Sequence, residues 1–170
     1  MQFLFKRASP PASRIELAAR ERELGRALEA RGYWYDERLI ILTAVAGIAE
    51  VGEAQVLPVD ISDGDLGSSI CDALLRYQTK SPRNLRDYKL GDWGAYRASG
   101  AKSASAFEAR AVMLSFASSG NIVTIEAGPR KSLHPEIRVT VTSGPDRSDI
   151  GASARRAIRA STALRAAGII

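Results

Sequence analysis

The sequence is poor in the side chains that most often carry chemistry. Its only cysteine is Cys71 and its only histidine is His134. A single cysteine excludes an internal disulfide and favours a reducing compartment, and a single histidine excludes a metal site built from several histidines. Because Cys71 lies in an apolar-periodic segment, we interpret it as a small buried hydrophobe. We expect no metal ion and no cofactor.

Long hydrophobic runs are missing as well. No apolar stretch approaches the ~20 residues that a membrane-spanning helix needs. The apolar run Phe3–Phe5 is too short for the core of a signal peptide, and basic residues follow it rather than precede it. We therefore expect a cytoplasmic protein that forms a single domain over residues 1–170 and has no contact with a membrane.

Basic residues are absent from one part of the chain. Residues 39–75 contain six acidic residues and no basic one, whereas residues 76–131 contain ten basic and four acidic residues, and the whole chain has a net charge of +5. Such segments are either solvated faces or surfaces complementary to a charged partner, and the sequence leaves both readings open.

What the chain does contain is one internal repeat. The block Asp65–Leu74 returns as Asp149–Ile158, with Asp, Gly, Ser and Ala at identical places. In both copies the apolar residues fall on one face of a helix. Gly67 and Gly151 lie early in these helices, where glycine costs roughly 1 kcal/mol relative to alanine. The repeated glycine predicts a close backbone approach at each position.

A strand and a helix cap precede each helix of the repeat. The alternating apolar residues of segments 57–61 and 137–141 predict strands with one buried face. Ser62 and Asp146, each followed three residues later by an aspartate, are typical N-caps.

Further upstream, each half begins with a helix and a hairpin. We predict a first helix over Arg14–Ala30, with Ser13 and Glu16 as its capping box and Gly32 as its stop. The turn residues Asp36 and Glu37 then separate Tyr33-Trp34-Tyr35 from the apolar run Leu39–Val45. In the second half, a helix over Ser103–Arg110 precedes strands at Val112–Phe116 and Ile122–Ile125, which flank Ser118-Ser119-Gly120-Asn121.

These elements predict an α+β fold made of two pseudo-repeats around one shared core, each with the order helix, β-hairpin, strand, helix. The first pseudo-repeat covers residues 1–76 and the second covers residues 102–170. Residues 77–101 form the connector, which we interpret as irregular and exposed, with room for one short helix. The apolar-rich terminal helices leave a homodimer open.

The chain has no recognisable catalytic constellation. We interpret His134, beside Pro135, as structural or solvated rather than as a catalytic base. Glu126 and Lys131 are the nearest approach to a nuclease-type metal centre, and their surrounding pattern is weak. The glycine spacings lack any phosphate-binding fingerprint. We therefore predict that the protein is not an enzyme and has no small-molecule substrate.

The connector mixes basic and aromatic side chains. Its basic residues interleave with Tyr77, Tyr88, Trp93 and Tyr96, a mixture that can neutralise phosphates and stack bases. The same residues also fit a polar linker anchored by Trp93, or a protein contact. Nucleic acid is the weaker interpretation because no recognition motif is present.

The repeated block resembles bacterial contact-dependent growth inhibition immunity proteins. The similarity rests on residues 60–67 with Ala73-Leu74, on residues 146–151 with Ala157-Ile158, and on Ala106-Phe107 followed by residues 120–125. It implies a binding protein whose partner is the C-terminal toxin domain of a large secreted protein, often a nuclease, and whose action is to cover the toxin's active site or substrate groove.

The contact residues do not follow from this resemblance, so we chose candidates from charge and aromatic character. A nuclease groove is basic, and the strongly acidic part of the chain is residues 39–75. Aromatic side chains often anchor protein interfaces. The candidate partner-binding residues are Glu50, Glu53, Asp60, Asp72, Trp93 and Tyr96. The alternative interpretation is that Asp60 belongs to a turn and Asp72 to a solvated helix face.

Overall fold

A computed structural model describes residues 12–79, 89–130, 134 and 137–170. Within these residues the helices and strands follow a similar order in the two halves of the chain. The first half contains α1 (Ala12–Leu24), β1 (Leu28–Tyr35), β2 (Leu39–Ala46), β3 (Ala49–Pro58) and α2 (Asp63–Leu75). A 3-10 helix (Leu90–Asp92) and α3 (Gly94–Ser99) follow. The second half contains α4 (Ala104–Arg110), β4 (Ala111–Ser119), β5 (Ile122–Pro129), β6 (Val139–Ser143) and α5 (Arg147–Ala166).

The six described strands form one antiparallel sheet in the order β3-β2-β1-β4-β5-β6. Each half contributes three consecutive strands, and the two halves meet where β1 pairs with β4. The predicted α+β class and the predicted layout of two pseudo-repeats are therefore confirmed. The second hairpin is confirmed too, with Gly120 at a φ of 65° in its turn.

The first helix is shorter than predicted. It ends at Leu24, and Gly25 follows in the left-handed conformation with a φ of 63°. Residues 28–30, the last of the predicted helix, instead begin β1 (Leu28–Tyr35), although Leu, Glu and Ala are good helix formers. The reason is tertiary: β1 is one of the two central strands and is paired along both edges, with β2 and with β4.

The capping box predicted for that helix is also absent. Ser13 lies inside α1, where its hydroxyl donates a hydrogen bond to the Pro145 carbonyl at 2.7 Å. Glu16 forms an ion pair with Arg147 at 3.4 Å. Both side chains thus join α1 to the start of α5, so their role is long-range.

One face of the sheet, which we call the helical face, is covered by α1, α2 and α5. Apolar side chains of these helices pack against alternate residues of the strands, among them Leu28, Leu114 and Ile125, all fully buried. Cys71 lies in this core, and burial raises the pKa of its thiol to about 11. The thiol is therefore protonated at neutral pH, as expected for a packing residue.

The helical face is closed by a reciprocal contact between α2 and α5. A Cβ atom on Gly67 would lie 1.6 Å from the Arg147 carbonyl oxygen, and one on Gly151 would lie 1.9 Å from the Asp63 carbonyl oxygen. Each glycine thus faces the first residue of the other helix. The predicted close approach is confirmed at both positions.

The two helix caps differ. The Ser62 side chain accepts a hydrogen bond from the Asp65 amide at 3.1 Å, as predicted. Asp146 occupies the N-cap position of α5 but makes no capping hydrogen bond with its side chain.

The strand before α2 ends at Pro58, so Val59 and Ile61 lie beyond it. Their carbonyls accept hydrogen bonds from Arg155 of α5, which also binds Asp63 at 2.6 Å.

The described part of the connector is partly buried. Tyr77 and Ala95 are fully buried, and the expected short helix is α3. The connector residues 80–88 lie outside the described residues. Among the described helices, none has both the length and the apolar character of a membrane span.

Candidate interaction surface

The second face of the sheet is divided into a covered half and an open half. α3 and α4 cover the half that carries Tyr33, Tyr35 and Ile41. Phe107 of α4 is the centre of this cover, with its ring centroid 5.1 Å from that of Tyr33 and 5.0 Å from that of Trp93. The aromatic cluster fixes the position of α3 and α4 on the sheet.

A buried carboxylate lies at the edge of this cluster. Glu50, near the start of β3, is 9% exposed. Its carboxylate accepts hydrogen bonds from the Tyr33 hydroxyl and from Trp93 Nε1, the latter at 3.2 Å. Arg31 Nη1 lies 3.7 Å from the same carboxylate. A buried charge is tolerated when it is paired and hydrogen-bonded in this way.

The environment of Glu50 also sets the protonation of its neighbour. Burial is the main cause that raises the pKa of Tyr33 far above its ordinary value, and the adjacent Glu50 carboxylate raises it further. The tyrosine therefore keeps its proton at any physiological pH and remains a hydrogen-bond donor to Glu50.

A cavity of about 360 Å³ opens beside Glu50 and Trp93. The described residues that line it combine three cations, one carboxylate and an apolar rim: Arg31, Ile48, Ala49, Glu50, Lys89, Leu90, Trp93 and Arg130. Arg130 stacks over the Trp93 ring at 5.0 Å and lies 3.4 Å from Glu108. We call this the Trp93 cavity.

The open half of the face is polar. Two rows of side chains cross it from strand to strand in register: Arg31, Ser115, Glu126 and Thr140 in one, and Glu29, Ala117, Thr124 and Thr142 in the other. A smaller cavity of about 180 Å³ lies over these rows. Arg31 lines both cavities, and we call the two together the groove.

Three of the six predicted partner-binding residues are brought together here. Glu50 and Trp93 share a hydrogen bond, and the Tyr96 ring lies 6.1 Å from that of Trp93. The other three lie elsewhere and are exposed. Glu53 is on the edge strand β3, Asp60 follows that strand, and Asp72 is on α2, on the opposite side of the sheet.

Sequence reasoning missed the cationic side of the groove. Arg31 falls between the end of the predicted first helix at Ala30 and its stop at Gly32, and Lys89 and Arg130 do not stand out among the other basic residues. Ile48 offered a signal, because it is an apolar residue at a hairpin tip beside Gly47, and it is 74% exposed. Single exposed apolar residues are common, so this signal acquires meaning only next to Leu90 and Trp93.

The described residues offer little for bond-making chemistry. His134 is exposed between β5 and β6, and no group of three or more His, Cys, Asp or Glu among them could hold a metal ion. Glu126 is exposed on the open half of the sheet, and its proposed companion Lys131 lies outside the described residues. The arrangement can hold a partner through shape, charge and aromatic contacts.

Comparison with known proteins gives a likeness of fold. Neither a protein-family model nor a curated protein matches the sequence. A protein of unknown function from Neisseria meningitidis is similar in structure, with a TM-score of 0.55 and 17% identity over 79% of this chain and 95% of the other. A chain of the CdiA-CT/CdiI toxin and immunity complex from Yersinia pseudotuberculosis is similar too, with a TM-score of 0.54 and 18% identity over 79% of this chain and 97% of the other. The fold is thus shared with a component of a toxin–immunity complex.

Proposed function

We propose that this protein is an immunity protein that binds and neutralises the C-terminal toxin domain of a contact-dependent growth inhibition system. The observation that carries the proposal is the structural likeness to a chain of the CdiA-CT/CdiI complex, which extends over 97% of that chain. The resemblance of the repeated sequence block points the same way. The protein acts in the cytosol of the producing cell, where it meets toxin delivered by a sister cell.

Neutralisation in this proposal needs binding alone. The toxin is a nuclease, and the immunity protein covers its active site or its substrate groove. A nuclease groove is basic, and Glu53, Asp60 and Asp72 are exposed acidic side chains that can reach a partner. Glu50 supports the contact indirectly, because it holds Trp93 in place from a buried position.

The direct test is co-expression with the toxin. The proposed function requires a gene for a large secreted protein next to that of this chain. The tagged chain is produced together with the C-terminal domain of that protein, and growth and co-purification are measured. We expect a stable one-to-one complex and rescue of growth, with an unrelated toxin domain as control. Absence of both the complex and the rescue would contradict the proposal.

The acidic contacts have their own test. Charge reversal at Glu53, Asp60 and Asp72, one at a time, should weaken toxin binding several-fold in a titration, while the melting temperature stays unchanged because all three side chains are exposed. Arg159→Glu on α5 is a control for an exposed charge change. Unchanged affinity in all three variants would remove the acidic residues from the interface.

A basic nucleic-acid-associated protein is the second candidate function. It is favoured by the position of Lys89 and Arg130 next to the Trp93 ring. Binding to generic RNA or DNA with a steep dependence on salt concentration would support it, since phosphate contacts release counterions. Weak binding that does not respond to salt would exclude it.

A further inference from the structure

The groove on the second face has an excess of positive charge at one end. Arg31, Lys89 and Arg130 line the Trp93 cavity against a single lining carboxylate, Glu50. Both carboxylate oxygens of Glu50 are already engaged, one by the Tyr33 hydroxyl and the other by the Trp93 indole. Arg31 is paired with Glu50 and Arg130 with Glu108, and each guanidinium has further N–H groups that, with the Lys89 ammonium, can donate to a visitor in the cavity.

The rim of the same cavity is apolar and exposed. Ile48 is 74% exposed at the tip of the β2–β3 hairpin, and Leu90 is 51% exposed in the 3-10 helix. Both flank the partly buried Trp93 ring. An aromatic side chain surrounded by arginines and apolar side chains is typical of the centre of a protein–protein interface.

Resting on the proposed function, we propose that the Trp93 cavity is the primary docking point of the toxin domain, and that the toxin inserts an aspartate or glutamate side chain between Arg31, Lys89 and Arg130. Apolar toxin residues next to that carboxylate pack on Ile48 and Leu90. The rest of the contact continues from Arg31 over the polar rows of the open half, where Ser115, Thr124 and Glu126 are available for hydrogen bonds.

A protein carboxylate fits this site better than a nucleic-acid phosphate. A strand of phosphates carries its charges without an aliphatic neighbour, so it would leave the apolar rim of the cavity uncovered. The exposed rim formed by Ile48 and Leu90 gains from contact with apolar side chains, which only a protein partner supplies next to its carboxylate.

The test uses matched substitutions on opposite faces of the sheet. Lys89→Glu is paired with Arg159→Glu, because both exchange an exposed cation for an anion and α5 lies on the helical face. Ile48→Ala is paired with Ile15→Ala, because Ile15 is also exposed, at 54%, but lies on α1. Melting temperatures of all four variants verify that each remains folded.

The probe is the same toxin domain as in the co-expression test, and the Kd is measured by titration. We expect Lys89→Glu to weaken binding at least tenfold and Ile48→Ala several-fold, with the two control variants within twofold of the wild type. We also expect one acidic-to-lysine change in the toxin domain to restore binding to Lys89→Glu, since it recreates an opposite-charge pair.

The outcomes separate the two proposals. Wild-type affinity in both Lys89→Glu and Ile48→Ala, with a tight wild-type complex, would overturn the docking site and leave the immunity function standing. No wild-type complex would overturn the immunity function itself. If the wild type instead binds generic RNA in a salt-dependent way and Lys89→Glu abolishes that binding, the cavity serves a nucleic acid and the docking proposal is wrong.

Discussion

The two faces of the sheet are built for different purposes. On the helical face, three helices cover the strands with one continuous apolar core, and backbone atoms of α2 and α5 come into contact through paired glycines. On the second face, two short helices cover only the half that carries the aromatic cluster, and the other half presents polar side chains. The difference suggests that stability resides mainly on the helical face, and that the second face is free to accept a partner.

The largest effect should come from the glycine contact. Gly151→Ala places a Cβ 1.9 Å from the Asp63 carbonyl oxygen, which forces α2 and α5 apart, so we expect a loss of about 5 kcal/mol in the free energy of unfolding. Gly64→Ala in α2 is the control, because its Cβ meets only Ser62 at 3.9 Å, and it should leave stability unchanged or raise it by up to about 1 kcal/mol. Urea unfolding measures both. Equal stability of the two variants would contradict the reciprocal contact.

On the second face, the largest loss should come from the centre of the aromatic cluster. Phe107→Ala removes a fully buried ring that contacts Tyr33 and Trp93, and we expect a loss of about 4 kcal/mol. Ile122→Ala, exposed on β5, should stay within about 0.5 kcal/mol of the wild type. A small loss in Phe107→Ala, measured by the same unfolding experiment, would mean that α3 and α4 contribute little to stability.

A smaller loss is expected where α5 holds the segment between β3 and α2. Arg155→Ala removes hydrogen bonds to the Val59 and Ile61 carbonyls and the ion pair with Asp63, so we expect a loss of about 2 kcal/mol. The exposed Arg159→Ala should have almost no effect. If thermal unfolding gives both variants the same midpoint, Arg155 is not a structural link between the halves.

The smallest expected effect concerns pH. The folded protein holds the pKa of Tyr33 above its ordinary value near 10, through burial and Glu50, and burial raises that of Cys71 from about 9 to about 11. As the pH rises, the unfolded chain loses both protons before the folded protein does. The stability that comes from the two raised pKa values is therefore complete below pH ~9 and falls as the pH rises above it. Tyr33→Phe should lower stability by about 1.5 kcal/mol at neutral pH, because Glu50 loses a donor.

The same variant should show a shallower decline in stability above pH 10, because it lacks the Tyr33 contribution and keeps that of Cys71. Urea unfolding of the wild type and of Tyr33→Phe measures how steeply the free energy of unfolding falls between pH 8 and pH 11. This interval spans the ordinary pKa values of cysteine and tyrosine. An identical slope in the wild type and Tyr33→Phe would mean that the Tyr33 proton is not held more tightly in the folded state.

The elements that could be predicted from sequence are those whose cause is local. The Ser62 cap of α2, the apolar spacing of α2 and of α5, and the turn at Gly120 each depend on residues close together in sequence. The end of α1 could not be predicted this way. Residues 21–30 are mostly good helix formers, and β1 exists because β2 and β4 flank it, which is a contact between distant parts of the chain.

The same distinction applies to the candidate site. Glu50 and Trp93 were each singled out, one for its charge and the other for its ring, yet their hydrogen bond joins residues far apart in sequence. It depends on α3 lying beside β3, where the Gly94 backbone comes close to that of Gly52. Arg31, Lys89 and Arg130 converge only after that packing, so no local pattern could have grouped them.

The contact between α2 and α5, in which Gly67 faces Arg147 and Gly151 faces Asp63, has the form of an isologous interface, because each partner presents the same feature to the other. In a symmetric dimer of identical subunits, every change on the surface would appear twice. Here the two partners are parts of one chain, so the contact can be kept while the halves diverge. The acidic residues 39–75 in one half, and the basic excess of residues 76–131 after it, are an asymmetry that two identical subunits could never display.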